Sequence, residues 1–190
     1  CWSSGFFTKQ ARDPSYVSWH QDSTYWGLEP TDIVTAWIAF SPSRSENGCM
    51  RVVPGSHESG QIAHVDSFAA DNLLSRGQEI EMAVDEREAR DVTLAPGEMS
   101  LHHVRLVHGS EPNRSDMPRI GFVIRYIPTY VRQLGTRTTA CLVAGRDDYG
   151  HFDPELRPKA ERHPEAMAFR AQALGAVGKV LYEGAKERAT

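Results

Sequence analysis

Six short runs rich in β-branched and aromatic residues fill the first two thirds of the chain, and each is closed by turn-forming residues. They leave little room for anything but a mainly β protein. The runs are Gly5 to Lys9, Tyr16 to Asp22, Asp32 to Phe40, Met50 to Val53, Glu98 to His103 and Arg119 to Ile127. Between them lie Ser-Glu-Asn-Gly at 45–48, Pro-Gly-Ser at 54–56, Pro-Gly at 96–97 and Glu-Pro-Asn-Arg-Ser at 111–115, all turn chemistry. That density of strands and turns predicts a sandwich or barrel. Strand side chains alternate, so Thr35 and Trp37 share one face while Val34, Ala36, Ile38 and Phe40 share the other, which is expected to be core.

A chain of 190 residues, 40% of them hydrophobic, can bury one core, so a single domain over 1–190 is expected. It opens at Cys1 inside a strand-like stretch, and the expectation is that an N-terminal portion is lacking. Two segments depart from the β pattern. Residues 60–95 form a polar, acidic insertion with helix-like stretches around Phe68 to Leu74 and Val84 to Arg90, predicted to act as a lid over the mouth of the barrel. Residues 164–189 are rich in Ala, Leu, Glu and Lys. Met167, Leu174, Val177 and Leu181 fall near helical spacing, predicting an amphipathic C-terminal helix outside the sheet.

Charge narrows the partners. There are 21 basic and 25 acidic residues, a net of −4, and no Lys/Arg cluster that could follow a phosphate backbone, so no nucleic acid is expected. No run of about 18 apolar residues and no basic-then-apolar start is visible, so neither a membrane span nor a signal peptide is expected. The expectation is a cytoplasmic protein. Cys1, Cys49 and Cys141 are too few and too far apart for a disulfide framework or a CxxC site, and oligomeric state leaves no mark in the sequence.

The chemistry-bearing pattern is His-x-Asp. On a strand the two side chains share a face about 7 Å apart and can reach one ion. Two neutral imidazoles and one carboxylate leave three open positions on an octahedral iron(II), enough for a bidentate cosubstrate and dioxygen. With eight His in the chain, about half a His-x-Asp is expected by chance, yet there are three: His20/Asp22, His64/Asp66 and His151/Asp153. The last lies in a charged, Gly- and Pro-flanked segment beyond the strands, and the second opens the polar insertion. His20/Asp22 follows Tyr16-Val17-Ser18-Trp19 and precedes Tyr25-Trp26, an aromatic setting able to fix rotamers. A third ligand must come from elsewhere, and His102, His103 and His108 lie together on or near a later strand. Eleven residues after His108, Arg119 opens a strand that would pass back beside such a site. A guanidinium there suits the far carboxylate of 2-oxoglutarate because its fork bonds both oxygens, and Ser110 could add a hydroxyl donor.

Several motifs in order resemble the phytanoyl-CoA dioxygenase family, to which ectoine hydroxylase is related. They are Trp19-His20-Gln21-Asp22, Trp37-Ile38-Ala39-Phe40, Glu46-Asn47-Gly48-Cys49-Met50, Val53-Pro54-Gly55-Ser56-His57, His108-Gly109-Ser110 and Arg119. The resemblance runs from Phe6 to Pro128 and, more loosely, through 147–158. It implies a double-stranded β-helix (jelly-roll) core with flanking helices and iron at one end. It also implies His20, Asp22 and His108 as the iron ligands, so that His102 and His103 are set aside. Arg119 becomes the anchor of the 2-oxoglutarate carboxylate, with Ser110, Trp37 and Lys9 at positions that line or contact the same pocket. The activity so implied is that of an Fe(II)- and 2-oxoglutarate-dependent dioxygenase that consumes O2, releases succinate and CO2, and oxidises a small-molecule metabolite of secondary metabolism. Halogenating relatives have a small residue at the carboxylate position. Asp22 therefore points to hydroxylation, with desaturation or oxidative cyclisation as variants. The competing expectation is a jelly-roll protein that binds metal or ligand without turnover, or a zinc-dependent one. Zinc sites more often show three His or Cys ligands, and a zinc hydrolase would have no use for Arg119.

Overall fold

The computed structural model describes residues 1–185. Its strands are β1 (Ser3–Lys9), β2 (Val17–His20), β3 (Leu28–Glu29), β4 (Val34–Ala39), β5 (Met50–Val52), β6 (His64–Asp66), β7 (Gln78–Ile80), β8 (Arg90–Val92), β9 (Met99–His103), β10 (His108–Ser110), β11 (Arg119–Tyr126), β12 (Arg132–Gln133), β13 (Thr139–Ala140) and β14 (Asp153–Pro154). Two helices accompany them, α1 (Ser23–Trp26) and α2 (Pro164–Leu181). Two four-stranded antiparallel sheets, β1-β11-β4-β9 and β2-β10-β5-β8, form the jelly roll, and both contribute side chains to one cavity.

Register in the larger sheet decides what the cavity sees. Ser3, Arg125, Thr35 and His102 are aligned across β1, β11, β4 and β9, and the next inward row is Gly5, Val123, Trp37 and Ser100. Beyond it come Phe7, Gly121 and Ala39, then Lys9 opposite Arg119. Polar rows thus stand at both ends of the inner face, with an apolar band between them.

This arrangement reverses the expectation for β4. Thr35, Trp37 and Ala39 face inward and are buried, whereas on the expected core face Ala36 alone is buried, Ile38 is half-buried, and Val34 is 40% and Phe40 57% exposed. Apolarity misleads here because the inner face carries the site, so its polar residues are buried. On the outer face, Phe6, Phe40 and Phe122 cover one another, with ring centroids 4.9 Å apart for Phe6 and Phe122 and 5.6 Å for Phe6 and Phe40. Two buried clusters form, Trp37, Ala39 and Val123 with Phe7 and Leu94, and Trp2, Leu28, Ile33, Val104 and Val131 closed by Trp26, Ile127 and Phe152.

Three further expectations are corrected. The strand expected to reach Asp22 ends at His20, because Asp22 adopts helical dihedrals as the N-cap of α1. No helix forms at 68–74 or 84–90. Instead the insertion folds back as the β6–β7 hairpin and β8, tied down by the Ser18 hydroxyl donating to Gln78 O and the Asn72 side-chain amide donating to Ser18 Oγ. Those tertiary hydrogen bonds outweigh the weak helix propensity of a short polar run. The C-terminal helix ends at Leu181, before a turn in which Gly184 takes φ 72°, and residues 186–189 of the expected helix lie outside the described residues. Met167 and Leu174 of α2 are exposed, while its C-terminal end docks on the insertion, with Arg76 Nη1 donating to Leu181 O at 3.0 Å and the Tyr182 hydroxyl to Ser75 O at 3.1 Å.

Candidate metal site

β2 and β10 are hydrogen-bonded neighbours in which His20 pairs directly with His108. That pairing needs the two backbones close together. A Cβ on Gly109 would stand 2.9 Å from Val17 O, which accounts for glycine between His108 and Ser110. Both imidazoles are buried, with ring centroids 4.1 Å apart.

Each ring is oriented in the same way. His20 Nδ1 donates to Ser18 O and His108 Nδ1 to Leu106 O, both at 2.9 Å. A proton on Nδ1 leaves Nε2 with a lone pair, and that is the nitrogen His20 turns toward Asp22. His20 Nε2 lies 3.3 Å from Asp22 Oδ1, so two acceptors face each other across a gap that only an additional proton or a cation can reconcile. Asp22 caps α1 but makes no capping hydrogen bond, which leaves its carboxylate uncommitted. One donor atom from each of His20, Asp22 and His108 can be chosen so that all three lie within 4.8 Å of one another.

The protonation states suit a cation. Burial holds His108 down to about 3, so its imidazole is neutral at neutral pH. Burial alone would raise the Asp22 carboxyl, but its contact with His20, with His108 and Arg125 nearby, outweighs burial and holds the group below the usual carboxylate range. Two imidazoles and a carboxylate fit a divalent transition metal and leave part of its coordination sphere to other ligands.

Arg119 lies 2% exposed at the far end of the same cavity, its guanidinium 5.4 Å from the Trp37 ring centre and its Nε without a hydrogen-bond partner. Burial lowers its pKa to about 10, leaving it a cation. Trp37 is held against it by Gly121, where a Cβ would come within 2.0 Å of the indole. Ser110 also lines this cavity, whose volume is about 270 Å³. Lys9 pairs with Arg119 across β1 and β11, but its Nζ is directed elsewhere. It donates to Ser110 Oγ at 2.8 Å, to Ser110 O at 3.3 Å and to Glu111 O. Burial first, and the adjacent Arg119 second, bring Lys9 down to about 7. The structure therefore brings His20, Asp22, His108, Arg119, Ser110 and Trp37 to one cavity, with Lys9 behind Ser110.

The other His-x-Asp pairs are occupied elsewhere. Asp66 pairs with Arg76, and His64 Nε2 accepts from the Gln21 backbone N–H. Asp153 lies on the surface against Arg137. Gln21 is a strut, fully buried and bonded to Gly60 O and Arg105 O. Within the insertion, Leu73, Leu74 and Gln78 line the cavity. His102, set aside as a ligand, lies outside the triad but packs at a tilt against His108, with ring centroids 5.0 Å apart. Thr35 and Arg125 also line the cavity. Strand parity places Arg125 on the same face as Arg119, whereas a lone threonine gives no signal in the sequence.

Residues 1–121 match the family model described as phytanoyl-CoA dioxygenase. Among curated proteins, the chain is 35% identical over 112 residues to a probable alpha-ketoglutarate-dependent hypophosphite dioxygenase of Stutzerimonas stutzeri, covering 58% of this chain and 39% of that protein. Among solved structures it is similar to the apo form of the non-heme monooxygenase ThoJ, with 33% identity and a TM-score of 0.85, covering 98% of this chain and 68% of that one. It is also similar to EvdO2 of Micromonospora carbonacea var. aurantiaca complexed with 2-oxoglutarate, with 28% identity and a TM-score of 0.54, covering 64% and 51%. The chain thus spans about two fifths of the length of that curated relative.

Proposed function

The chain belongs to the phytanoyl-CoA dioxygenase family, and on that premise we propose that it is the core of an Fe(II)- and 2-oxoglutarate-dependent dioxygenase that hydroxylates a small-molecule metabolite. The observation that carries this reading is the opposition of His20 Nε2 and Asp22 Oδ1 at 3.3 Å, both acceptors, with His108 beside them in a buried cavity. A cation resolves that opposition. Arg119 supports the second half of the reading, since a buried guanidinium with an unpartnered Nε at the other end of the cavity suits the distal carboxylate of a dicarboxylate.

When bound, iron(II) with 2-oxoglutarate and dioxygen supplies the oxidation, with succinate and carbon dioxide as by-products. The chain's own residues do the rest. His20, His108 and Asp22 would hold the metal. The Nδ1 bonds to Ser18 and Leu106 fix both rings, so little reorganisation accompanies binding. Arg119 would orient the cosubstrate, Trp37 keeps that guanidinium in place, and Lys9 positions Ser110. Val123 and Trp37 give the middle of the cavity an apolar wall, while Leu73 and Leu74 bring the 60–95 insertion over it as a lid that excludes water. Asp22 fills the carboxylate position of the triad, which favours hydroxylation.

The test is joint binding and turnover. Purified protein with iron(II) and ascorbate should bind 2-oxoglutarate and release succinate, slowly alone and faster with a substrate. Asp22→Ala should abolish both. Succinate release that survives Asp22→Ala, or zinc-dependent hydrolysis in its place, overturns the proposal.

A further inference from the structure

Arg125 is a second guanidinium on the cavity wall, half-buried, that neither the triad nor the Arg119 end employs. It lies six residues from Arg119 on the same face of β11, a separation of about 20 Å along the strand, yet both line the one cavity. No Asp or Glu carboxylate pairs with it within ion-pair distance among the described residues; the hydrogen bond it makes runs from Nη1 to Ser3 Oγ at 3.3 Å. A guanidinium carries five N–H donors, and its Nε is buried with no partner. The Trp26 ring lies 4.9 Å from the Arg125 carbon Cζ and holds the group in place from one side.

The neighbours in its row share this condition. Thr35 stands directly across the ladder from Arg125, and His102 directly across from Thr35. Thr35 Oγ1 and His102 Nδ1 are both buried without a hydrogen-bond partner. Three unpartnered polar groups aligned in one row on a cavity wall are costly unless something polar comes to meet them. The row lies on the metal side of the cavity, because the His102 ring packs at a tilt against His108 and Arg125 lines the same wall as Asp22.

Charge points the same way. Among the described cavity-lining residues, the two guanidinium groups face the single carboxylate of Asp22. A divalent metal and a dianionic 2-oxoglutarate cancel each other, which leaves one positive charge unmatched. From these observations we infer that Arg125, with Thr35 and His102 beside it, is a second anion subsite that takes the carboxylate or phosphate-type group of the substrate. Resting as it does on the oxygenase reading, this narrows the substrate to a small anionic molecule, its oxidised position held over the metal by a charged end at Arg125.

The experiment is calorimetric titration of the full chain, loaded with redox-inert nickel(II) and saturated with 2-oxoglutarate so that Arg119 is occupied. The probes are benzoate, phenyl phosphate and the neutral isostere benzamide. Expected is a preference of at least about tenfold for one or both anions over benzamide, lost in Arg125→Gln. The anion that binds more tightly distinguishes a carboxylate from a phosphate substrate. Arg125→Lys keeps the charge and is expected to retain the preference at lower affinity, which separates loss of charge from loss of fold. Equal binding of benzamide and the anions by the unmodified protein overturns the inference, as does a preference that survives Arg125→Gln. Weakened 2-oxoglutarate binding in Arg125→Gln also overturns it, by placing Arg125 in the cosubstrate site. If nickel and 2-oxoglutarate fail to bind together, the oxygenase reading falls, while the anion preference is still read in the metal-free protein as the loss caused by Arg125→Gln.

Discussion

His20 and His108 stand directly opposite each other on β2 and β10, and each donates Nδ1–H to the carbonyl of the residue two positions before it. The same local device sets both rings, so the two Nε2 atoms are aimed before any metal arrives. Asp22 completes the set from the start of α1.

From this follows the first expectation. Asp22→Ala and His108→Ala should each weaken iron(II) or cobalt(II) binding by more than about 100-fold, since loss of a supporting outer residue alone costs about 10–100-fold. Ser18 and Leu106 act through their backbone carbonyls, so Ser18→Ala should leave affinity largely intact. Calorimetry under anaerobic conditions reads all three, and a Ser18→Ala loss as large as that of Asp22→Ala would contradict the backbone origin of ring orientation.

Arg119 has no carboxylate partner within ion-pair distance among the described residues, and Trp37 and Cys49 are its neighbours. Charge-assisted hydrogen bonds are worth about 1.5–3 kcal/mol, so Arg119→Gln should raise the half-saturating 2-oxoglutarate concentration by about 10- to 100-fold. Arg119→Lys should recover only part of this, because an ammonium cannot bond both carboxylate oxygens in one plane. Metal affinity without cosubstrate should stay within about twofold in both variants. A parallel fall in metal affinity would show Arg119 supporting the triad instead.

How much of this could be read from the sequence depends on the residue. The convergence of His20, Asp22 and His108 was legible because His-x-Asp and His-Gly-Ser stand in the order of the family they resemble, with an arginine eleven positions on. Arg119 was legible because it opens a strand eleven residues beyond His108, and Trp37 only through the family resemblance, since parity had set it opposite the expected core face of β4. The inner face of β4 was not, since its buried positions include Thr35 while Val34 and Phe40 lie outside, the reverse of the usual polarity rule. The insertion was misread as helical because its hydrogen bonds to Ser18 and Leu181 are long-range and leave no local pattern. Lys9 was placed in the pocket by analogy, and its Nζ instead bonds Ser110 and Glu111, a direction that strand parity alone cannot give.

Gly121 offers a stability test linked to the site. A Cβ there would lie 2.0 Å from Trp37 Cζ2, so Gly121→Ala must displace the indole that shelters Arg119. Overpacking of this kind costs about 1–3 kcal/mol. A lowered urea midpoint together with weakened 2-oxoglutarate binding is expected. Trp37→Phe in the Gly121→Ala background should restore part of both, because the smaller ring frees the contested space. If the double variant is no better than the single one, the Trp37–Gly121 contact is not what positions Arg119.

Acid sensitivity of the metal-free protein follows from His108. Its ordinary value of 6.5 falls to about 3 in the fold, chiefly through burial. Below 6.5 the unfolded chain takes up a proton at this position that the folded chain refuses until about pH 3. The neutral imidazole's contribution to stability is therefore complete above 6.5 and drains away as pH falls toward 3. Asp22, whose carboxyl is lowered, adds a loss of the same sign at still lower pH. Urea midpoints measured from pH 8 to 4 should thus decline through the lower half of that range in the unmodified protein and decline less in His108→Gln, which cannot titrate. Saturating metal should lift the whole curve, because folded His108 stays neutral from pH 8 to 4 and a ligand that binds only the folded chain stabilises it by mass action. A His108→Gln profile parallel to that of the unmodified protein would mean that His108 is already neutral in the unfolded chain or solvated in the fold, and either outcome contradicts the burial of this ring beside His20.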